Sequence, residues 1–549
     1  MTSITYTGVL VVGAGPAGLT LAADLLRRNV SVRLIDQAGS PAPTSRATSL
    51  TPRTLEVLDD LGIAQELLDT GIRIRTAEAY QGQNRAFRLT FPETGQTRYP
   101  FLLNNSQRQT EDLMTERVRA LGGTVERERR LIGLRQDRKG VVALIDGPAG
   151  PEEIHAKWLI GADGGRSTVR NTLGIPFEGK TGTLEETIVL GDVHIDWNLP
   201  SDRLYSWFNE DGALLAFPFR EPGRWRITAA LSPAEEADGR FIEDSIERFT
   251  ELYQRRTGDT TSRLTDMQGF SVYRVNQRVV DHYRRGRVVL MGDAAHVHTP
   301  AGGLGMNTGI QDAYSLGWRL AIAVQRGDDA AIESYERERR PVALALLSST
   351  GNLQRLWSIR DRRVQHVRDS ALQIVLNLGP VRRAFFAGAG QLNVTYRARS
   401  RIGRRSGPRV GDRIPDVRVA HGNTEQSWLH EHLRGTQPVL IVLAGDRISN
   451  RGVDDRLTAL AHDAQRRSVT LLYVEAPGVD HAERGGVTTV VDTHGDLHRR
   501  FHARTARSIV VRPDKHIAAI STAHDSAILA LAESLTHRPE TMSEFPRRA

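Results

Sequence analysis

Residues 8 to 36 run strand, glycine turn, helix, strand, acid, an order that few folds accept. Gly8 to Val12 is an apolar run of buried-strand length, and Gly13-Ala14-Gly15-Pro16-Ala17-Gly18 follows it directly. Leu19 to Arg28 predicts a helix with Leu19, Ala22, Ala23 and Leu26 on one face. Val30 to Ile35 predicts a second strand, closed by Asp36 and Gln37. The spacing of the motif has a physical reading. Gly13 permits a tight turn, Gly15 lets the backbone approach a pyrophosphate, and Gly18 lets helix pack against strand. The helix start at Pro16 and Ala17 then turns its positive end toward the phosphates. Asp36 lies 18 residues after Gly18, placed to accept hydrogen bonds from an adenosine ribose. The motif predicts dinucleotide binding but does not by itself separate NAD from FAD.

Two later segments bear on that choice. Lys157 to Ile160 predicts a strand that runs into Gly161-Ala162-Asp163-Gly164-Gly165 and then a helix through Arg170. Arg287 to Met291 predicts another, ending in Gly292-Asp293. It is followed by Pro300-Ala301-Gly302-Gly303-Leu304-Gly305-Met306-Asn307 and a long helix. An Asp at the end of a buried strand can bond sugar hydroxyls. A Gly-rich segment opening a helix offers N–H groups and a positive dipole to an electron-rich ligand.

With these three segments in this order, the chain resembles the group A flavoprotein aromatic hydroxylases, which share the para-hydroxybenzoate hydroxylase fold. Ser45-Arg46-Ala47, Pro52-Arg53-Thr54-Leu55-Glu56, Gly303 to Asn307 and Gln311-Asp312-Ala313 make it similar to the phenol hydroxylase and aromatic-polyketide hydroxylase branch. The resemblance implies FAD, with Gly13, Gly15 and Gly18 at its pyrophosphate, Asp36 at its adenosine ribose, and Pro16, Ala17 and Gln37 among the other cofactor-binding residues. It implies Arg46 and Gln107 at the pyrophosphate or ribityl region, Asp163 and Gly164 in a motif serving FAD and NADPH, and Asp293 at the ribityl or phosphate end. Leu304 to Asn307 would offer backbone donors to the isoalloxazine. Pro300, Gly303, Leu304 and Gly305 would face the flavin. Leu304 stands where the branch usually has Gln, Ser315 where it has Asn, and Asp36 where it commonly has Glu.

The activity implied is an NADPH- or NADH-driven monooxygenase that inserts one atom of O2 into a phenolic or polycyclic aromatic substrate through a flavin C4a-hydroperoxide. A Baeyer–Villiger or antibiotic-modifying oxygenation is the enzymatic alternative, and a redox-inert FAD-binding scaffold the non-enzymatic one. His296 and His298 are expected to bond backbone, and no catalytic base is assigned.

Composition narrows the rest. The 549 residues contain no Cys, which removes disulfides, thiol catalysis and Cys-held zinc or iron–sulfur sites; no metal is expected. No apolar run reaches the roughly 18 residues of a membrane span, and the first residues lack a signal-peptide layout, so a cytoplasmic protein with no membrane partner is expected. The net charge of +8 is concentrated: thirteen Arg lie between Arg355 and Arg409 against Asp361 and Asp369. Few aromatics interleave them, so nucleic acid is not the expected partner.

Thr187 to Leu231 reads as alternating strands, the substrate-domain sheet of the resemblance, with Trp207, Phe217, Phe219 and Trp225 as candidates for an aromatic pocket. The expected fold is α/β: a Rossmann-like FAD-binding domain (1–82 with 101–182 and 272–400), an inserted mixed β-sheet substrate domain (83–100 with 183–271), a C-terminal thioredoxin-like α/β domain (401–536) able to serve a homodimer contact, and a tail (537–549).

Overall fold

The computed structural model describes residues 3–41, 47–93, 95–178, 187–274, 276–298, 303–357, 362–397, 407–421, 425–445, 453–478, 487–522 and 526–537. Its first layer is a parallel sheet ordered Val125–Glu126, Val32–Ile35, Ser3–Val12, Glu152–Gly161, Val288–Leu290, with Arg284–Arg285 antiparallel at the edge. A hairpin, Arg130–Gln136 and Val141–Asp146, adds antiparallel strands beside Glu152–Gly161. The inner strands are near-continuous runs of Val, Leu and Ile because both faces are covered; Val9, Leu10, Val11, Leu159, Ile160, Val288 and Val289 are wholly buried. Register brings the strand ends level. Val12 pairs with Ile35 on one side and Gly161 on the other, and Gly161 pairs with Leu290. Gly13, Asp36, Asp163 and Gly292 therefore emerge along one edge, at the carboxyl ends of neighbouring parallel strands.

Over that edge stands the second layer, a seven-stranded sheet ordered Leu264–Arg274, Thr187–Ile195, Arg224–Ala230, Gly212–Pro218, Arg203–Asn209, Thr76–Gln81, Asn84–Thr90. Thr76–Gln81 pairs parallel with Arg203–Asn209 and antiparallel with Asn84–Thr90. The boundary expected at 83 thus falls in the turn between two strands of one sheet, and that expected at 271 falls inside the strand Leu264–Arg274. The hydrophobic pattern of Thr76–Gln81 is too weak to declare which sheet it joins. The helix Ile246–Thr257 covers the far face with Phe249, Leu252 and Tyr253.

The third unit is a sheet ordered Glu425–Trp428, Arg418–His421, Thr488–Val491, Thr470–Glu475, Val439–Leu443, Arg507–Val511, Ile517–Ser521, flanked by the helices Val453–Arg466, Asp496–Phe501 and Ser526–Ser534. Nearly all of the expected tail lies outside the described residues.

Buried charge joins this unit to the first. Asp60 accepts from Arg27 at 2.7 Å and Tyr314 at 2.8 Å, and Lys515 of the C-terminal unit lies 3.1 Å away. Glu56 takes Arg53 at 3.0 Å and Arg413 at 3.2 Å. Arg512 spans Glu338 at 2.9 Å and Asp514 at 2.8 Å. Glu56 also lies near Asp416 and His430, but the two guanidinium groups already saturate its oxygens. Removing one partner strands a buried charge, so Glu56→Ala is predicted to cost about 3–5 kcal/mol in denaturant unfolding.

The same cluster sets the response to acid. Burial pushes the carboxyls of Glu56, Asp60, Glu338 and Asp514 up, but the surrounding cations outweigh it and hold all four below their ordinary values. A depressed carboxyl contributes stability above its unfolded pKa and loses it as pH falls through the folded one. Stability is therefore predicted to drop steadily below pH 4.5, the ordinary Glu value, measured as the urea midpoint across a pH series. Asp416, pushed up to about 8 by burial and by Glu56, acts in the opposite sense and trims stability as pH rises toward that value.

Candidate functional site

A cavity of about 1760 Å³ opens over the level strand ends and continues under the second sheet. Its floor begins with the glycine turn. Gly13 has φ +107°, and a Cβ there would lie 2.4 Å from the Ala162 carbonyl oxygen. A Cβ on Gly18 would lie 1.9 Å from the Gly13 oxygen. Both glycines are spent on close packing between strand and helix, beneath the cavity rather than on its wall. Gly15 is different: a Cβ there meets nothing within 4 Å, and the residue lines the cavity with Pro16 and Ala17 at the start of the helix Pro16–Leu26. Pro16 gives up an N–H that the first turn would leave unpaired anyway.

Asp36 braces this turn. Its Oδ2 accepts from the Ala14 N–H at 2.6 Å and its Oδ1 from the Ala38 N–H at 2.8 Å. Gln37, its neighbour, lines the cavity. Gln107 also lines it, accepting from the Ala47 N–H at 3.3 Å and donating to Glu111 at 2.7 Å. Arg46 and Pro300 lie outside the described residues.

Asp163 and Gly164 form the next part of the wall. Asp163 Oδ2 accepts from the Val169 N–H at 3.1 Å, while Oδ1 is buried with no partner among the described residues. Burial raises this carboxyl above its ordinary value. A buried oxygen in this condition calls for a hydroxyl donor, which a sugar or ribityl chain carries. Arg170 ties the segment to the following one, donating to Gly165 O at 2.9 Å and Ala294 O at 3.0 Å. Asp293 is exposed at the cavity wall.

The helix Gly305–Arg326 points its first turn at the cavity, where Gly303, Leu304, Gly305 and Met306 line the wall. Its N-cap, Leu304, supplies no side-chain bond, so the N–H groups of the first turn stay available to a ligand. Asn307 is wholly buried and does not line the cavity. Its side chain accepts from Thr51 N–H at 2.9 Å and donates to Ser49 O and Gly303 O, each at 2.8 Å. It holds the loop in place. Unpartnered Asp163 Oδ1, an open Gly15 and an uncapped helix start together fit a dinucleotide with a polyhydroxyl chain.

The second sheet supplies the opposite wall. Phe217 pairs in register with Arg226, and Leu215 with Thr228. These four, with Ile188 and Ala230, face the cavity. Phe219 does not line it; the Arg226 guanidinium lies 5.4 Å from its ring centre. Trp207 and Trp225, expected in the pocket, belong to the far face. They pack with Trp197, Tyr205 and Tyr253 in a core under the helix Ile246–Thr257, at 4% and 2% exposure. One step along a strand reverses the face, and Trp225 is one step from Arg226.

Arg226 was not anticipated from the sequence. It is 2% exposed, grips Asp192 through two bonds of 2.7 Å, and reaches Thr48 Oγ1 at 3.1 Å. A charged residue inside Trp225-Arg226-Ile227-Thr228, sharing the parity of Thr228 and Ala230, was the available signal. His296 also departs from expectation. It bonds the Asp312 carboxylate at 2.6 Å and His298 at 2.8 Å rather than backbone.

Two substitutions separate the glycine roles. Gly18→Ala is predicted to destabilise the flavin-free protein by about 1–3 kcal/mol through overpacking, read by thermal unfolding. Gly15→Val is predicted to leave that unfolding unchanged while weakening dinucleotide binding at least roughly tenfold, read by titration.

Comparison with known proteins agrees with this geometry. Residues 6–350 match the FAD binding domain family and residues 411–536 the HcaD C-terminal domain family. A flavin-dependent monooxygenase of Mycobacteroides abscessus is 35% identical over 79% of this chain and 88% of its own. Pentachlorophenol 4-monooxygenase of Sphingobium chlorophenolicum is 31% identical over 93% of both. The solved anhydrotetracycline hydroxylase of Streptomyces rimosus superposes with TM-score 0.73 at 28% identity, over 94% of this chain and 96% of its own.

Proposed function

This chain belongs to the FAD-dependent monooxygenases of aromatic and polyketide substrates, and from that premise we propose that it inserts one oxygen atom of O2 into a phenolic or polycyclic aromatic ring, using NADPH or NADH as electron donor. The observation that carries the reading is the continuity of the cavity. It runs without a break from the dinucleotide floor at Gly15 and Asp163 to the apolar wall of Ile188, Leu215 and Phe217. The floor residues would hold an FAD, and the sheet-lined part would remain for a flat second molecule.

Each part of the wall then has a task. Asp163 Oδ1 would accept from a hydroxyl of the cofactor, and the first turn of Gly305–Arg326 would present N–H groups and its positive end to an electron-rich ring. The chemistry FAD supplies when bound is two-electron transfer and activation of O2. Phe217, Leu215 and Ile188 offer an apolar surface to an aromatic ring and exclude water from it. Arg226, fixed by Asp192, sets a cation at that wall. Arg166, Arg170, Arg274 and Arg278 line the same cavity and suit the phosphates of a pyridine nucleotide better than the Arg-rich stretch from Arg355 to Arg409, where Arg397 pairs with Asp412.

We also read the C-terminal unit as a thioredoxin-like scaffold without redox chemistry. What supports this is the order Thr470–Glu475, Val439–Leu443, Arg507–Val511, Ile517–Ser521, the first pair parallel and the others antiparallel, in a chain with no Cys.

The test is anaerobic reduction of bound flavin by NADPH, with and without phenols, naphthoquinones and hydroxyanthraquinones. One aromatic class is expected to accelerate bleaching at least roughly tenfold and, in air with 18O2, to gain one labelled atom. Flavin that is bound yet never reduced by NADPH or NADH under any ligand contradicts the reading and favours an inert scaffold. Phe217→Ala is expected to raise KM for the accelerating aromatic about tenfold while FAD content is unchanged.

A further inference from the structure

Away from the cavity, one helix turns an apolar face to solvent. The helix Arg362–Asn377 packs one side on the second sheet, beside Asn84–Thr90. Arg368 is buried on that side, with its guanidinium 5.4 Å from the centre of the Phe208 ring. The helix Gly379–Ala389 follows and sends Phe386 into a small core with Leu89, Phe91 and Leu392. The outer side of the first helix carries Val367, Ala371 and Ile374, spaced four and three residues apart, and Leu378 comes four residues later, so they form one stripe. Val367 is 70% exposed, Ile374 68% and Leu378 53%, and Val375 and Phe385 are exposed as well. Single apolar residues at a surface are ordinary, but a contiguous row marks a surface that meets something else.

Charge and size narrow what covers it. The sequence sets Arg360, Arg362 and Arg363 at one end of the stripe and Arg382 and Arg383 beyond the other, and Arg383 is exposed. Between Arg355 and Arg409 the acids are Asp361 and Asp369 alone. A second copy of the chain laid antiparallel across the stripe would set arginine against arginine at both ends. The six exposed apolar residues also fall well short of the roughly 20–30 residues a side that a stable protein interface uses. Five of them are aliphatic and one is aromatic, without the Trp and Tyr anchors that dominate protein interfaces. A lipid surface asks for less: aliphatic side chains at acyl-chain depth and cations at the headgroups.

We infer that the helix Arg362–Asn377 docks on the surface of an anionic lipid bilayer, with Val367, Ala371, Ile374 and Leu378 sunk among the acyl chains and the flanking arginines at the phosphates. The expectation of no membrane partner rests on the missing span. Among the described residues no helix is long and apolar enough to cross a membrane. That excludes crossing, but a helix lying in the interface needs no such span. The attachment is reversible, because the stripe is short and the charge attraction is screened by salt. None of these residues lines the cavity, so the attachment is separable from the reaction proposed above. It would nevertheless serve that reaction. The sheet on which the helix packs also carries the aromatic wall, and docking would hold it beside the layer into which apolar aromatics partition.

The test floats the full-length, FAD-loaded protein with vesicles of phosphatidylcholine alone and of equal parts phosphatidylcholine and phosphatidylglycerol, at low and at high salt. At low salt the protein is expected to bind the anionic vesicles at least roughly tenfold more tightly than the neutral ones, and high salt is expected to release it. V367E/I374E is expected to weaken that binding at least roughly tenfold while FAD content and thermal unfolding stay unchanged. No binding to anionic vesicles, or binding that the double variant keeps, overturns the proposal. Should the double variant unfold, R383E decides: binding falls at least roughly fivefold, and undiminished binding contradicts the assignment. A dimer in sedimentation that V367E/I374E dissolves would assign the face to a second copy and overturn the lipid reading. Capture of an acidic protein through the stripe, with no vesicle binding, would overturn it in favour of a protein partner.

Discussion

The structure depends on how closely four parallel strand ends approach one another. A Cβ on Gly13 would lie 2.4 Å from the Ala162 carbonyl oxygen and one on Gly18 1.9 Å from the Gly13 oxygen, and Gly292 has φ +55°. No side chain fits at Gly13 or Gly18, and the backbone of Gly292 favours glycine, so helix, turn and strand ends collapse into one continuous floor. Asp36 fastens the first turn from the second strand. Asp312 fastens the last, accepting from Gly292 N–H at 3.2 Å as well as from His296 and Arg339. A floor built of backbone can meet a dinucleotide along its whole length with little reorganisation.

The inserted sheet turns that floor into a reaction chamber. Its two faces do different work with residues one step apart. Trp225 and Trp207 anchor the far face to a helix, and Arg226 and Phe217 look inward. Arg226 would be a liability in an ordinary apolar wall. Asp192 neutralises it through two bonds, and Thr48 connects it to the first domain. The same link sets how the sheet is seated over the floor. The C-terminal unit is held by a different means, through buried ion pairs at Asp60, Glu56 and Arg512, so its attachment is sensitive to acid while the apolar core of the first sheet is not.

Much of this was legible in the sequence because it is local. The turn at Gly13 to Gly18, the strand-end acids Asp163 and Asp293 and the glycine-opened helix at Gly305 each declare themselves within about a dozen residues, where backbone sterics leave few alternatives. What was not legible depends on register or on distant partners. Trp207 and Trp225 were grouped with Phe217 by aromatic character, but β parity, not aromaticity, decides the face. Thr76–Gln81 gives no sign of which sheet it joins until its pairing with Arg203–Asn209 is known. His296 and His298 look like ordinary loop histidines until Asp312, 16 residues on from His296, and Arg339, 27 residues beyond that, are brought beside them.

The central claim is that cofactor floor and aromatic wall are two sides of one chamber. The most direct measurement is the absorption and fluorescence of bound FAD as a hydroxyanthraquinone is titrated in without reductant. The account predicts a saturable perturbation of the flavin bands with FAD retained, because the two molecules share one cavity. Saturable binding that leaves the flavin spectrum untouched, or that expels FAD in proportion to ligand bound, would contradict it.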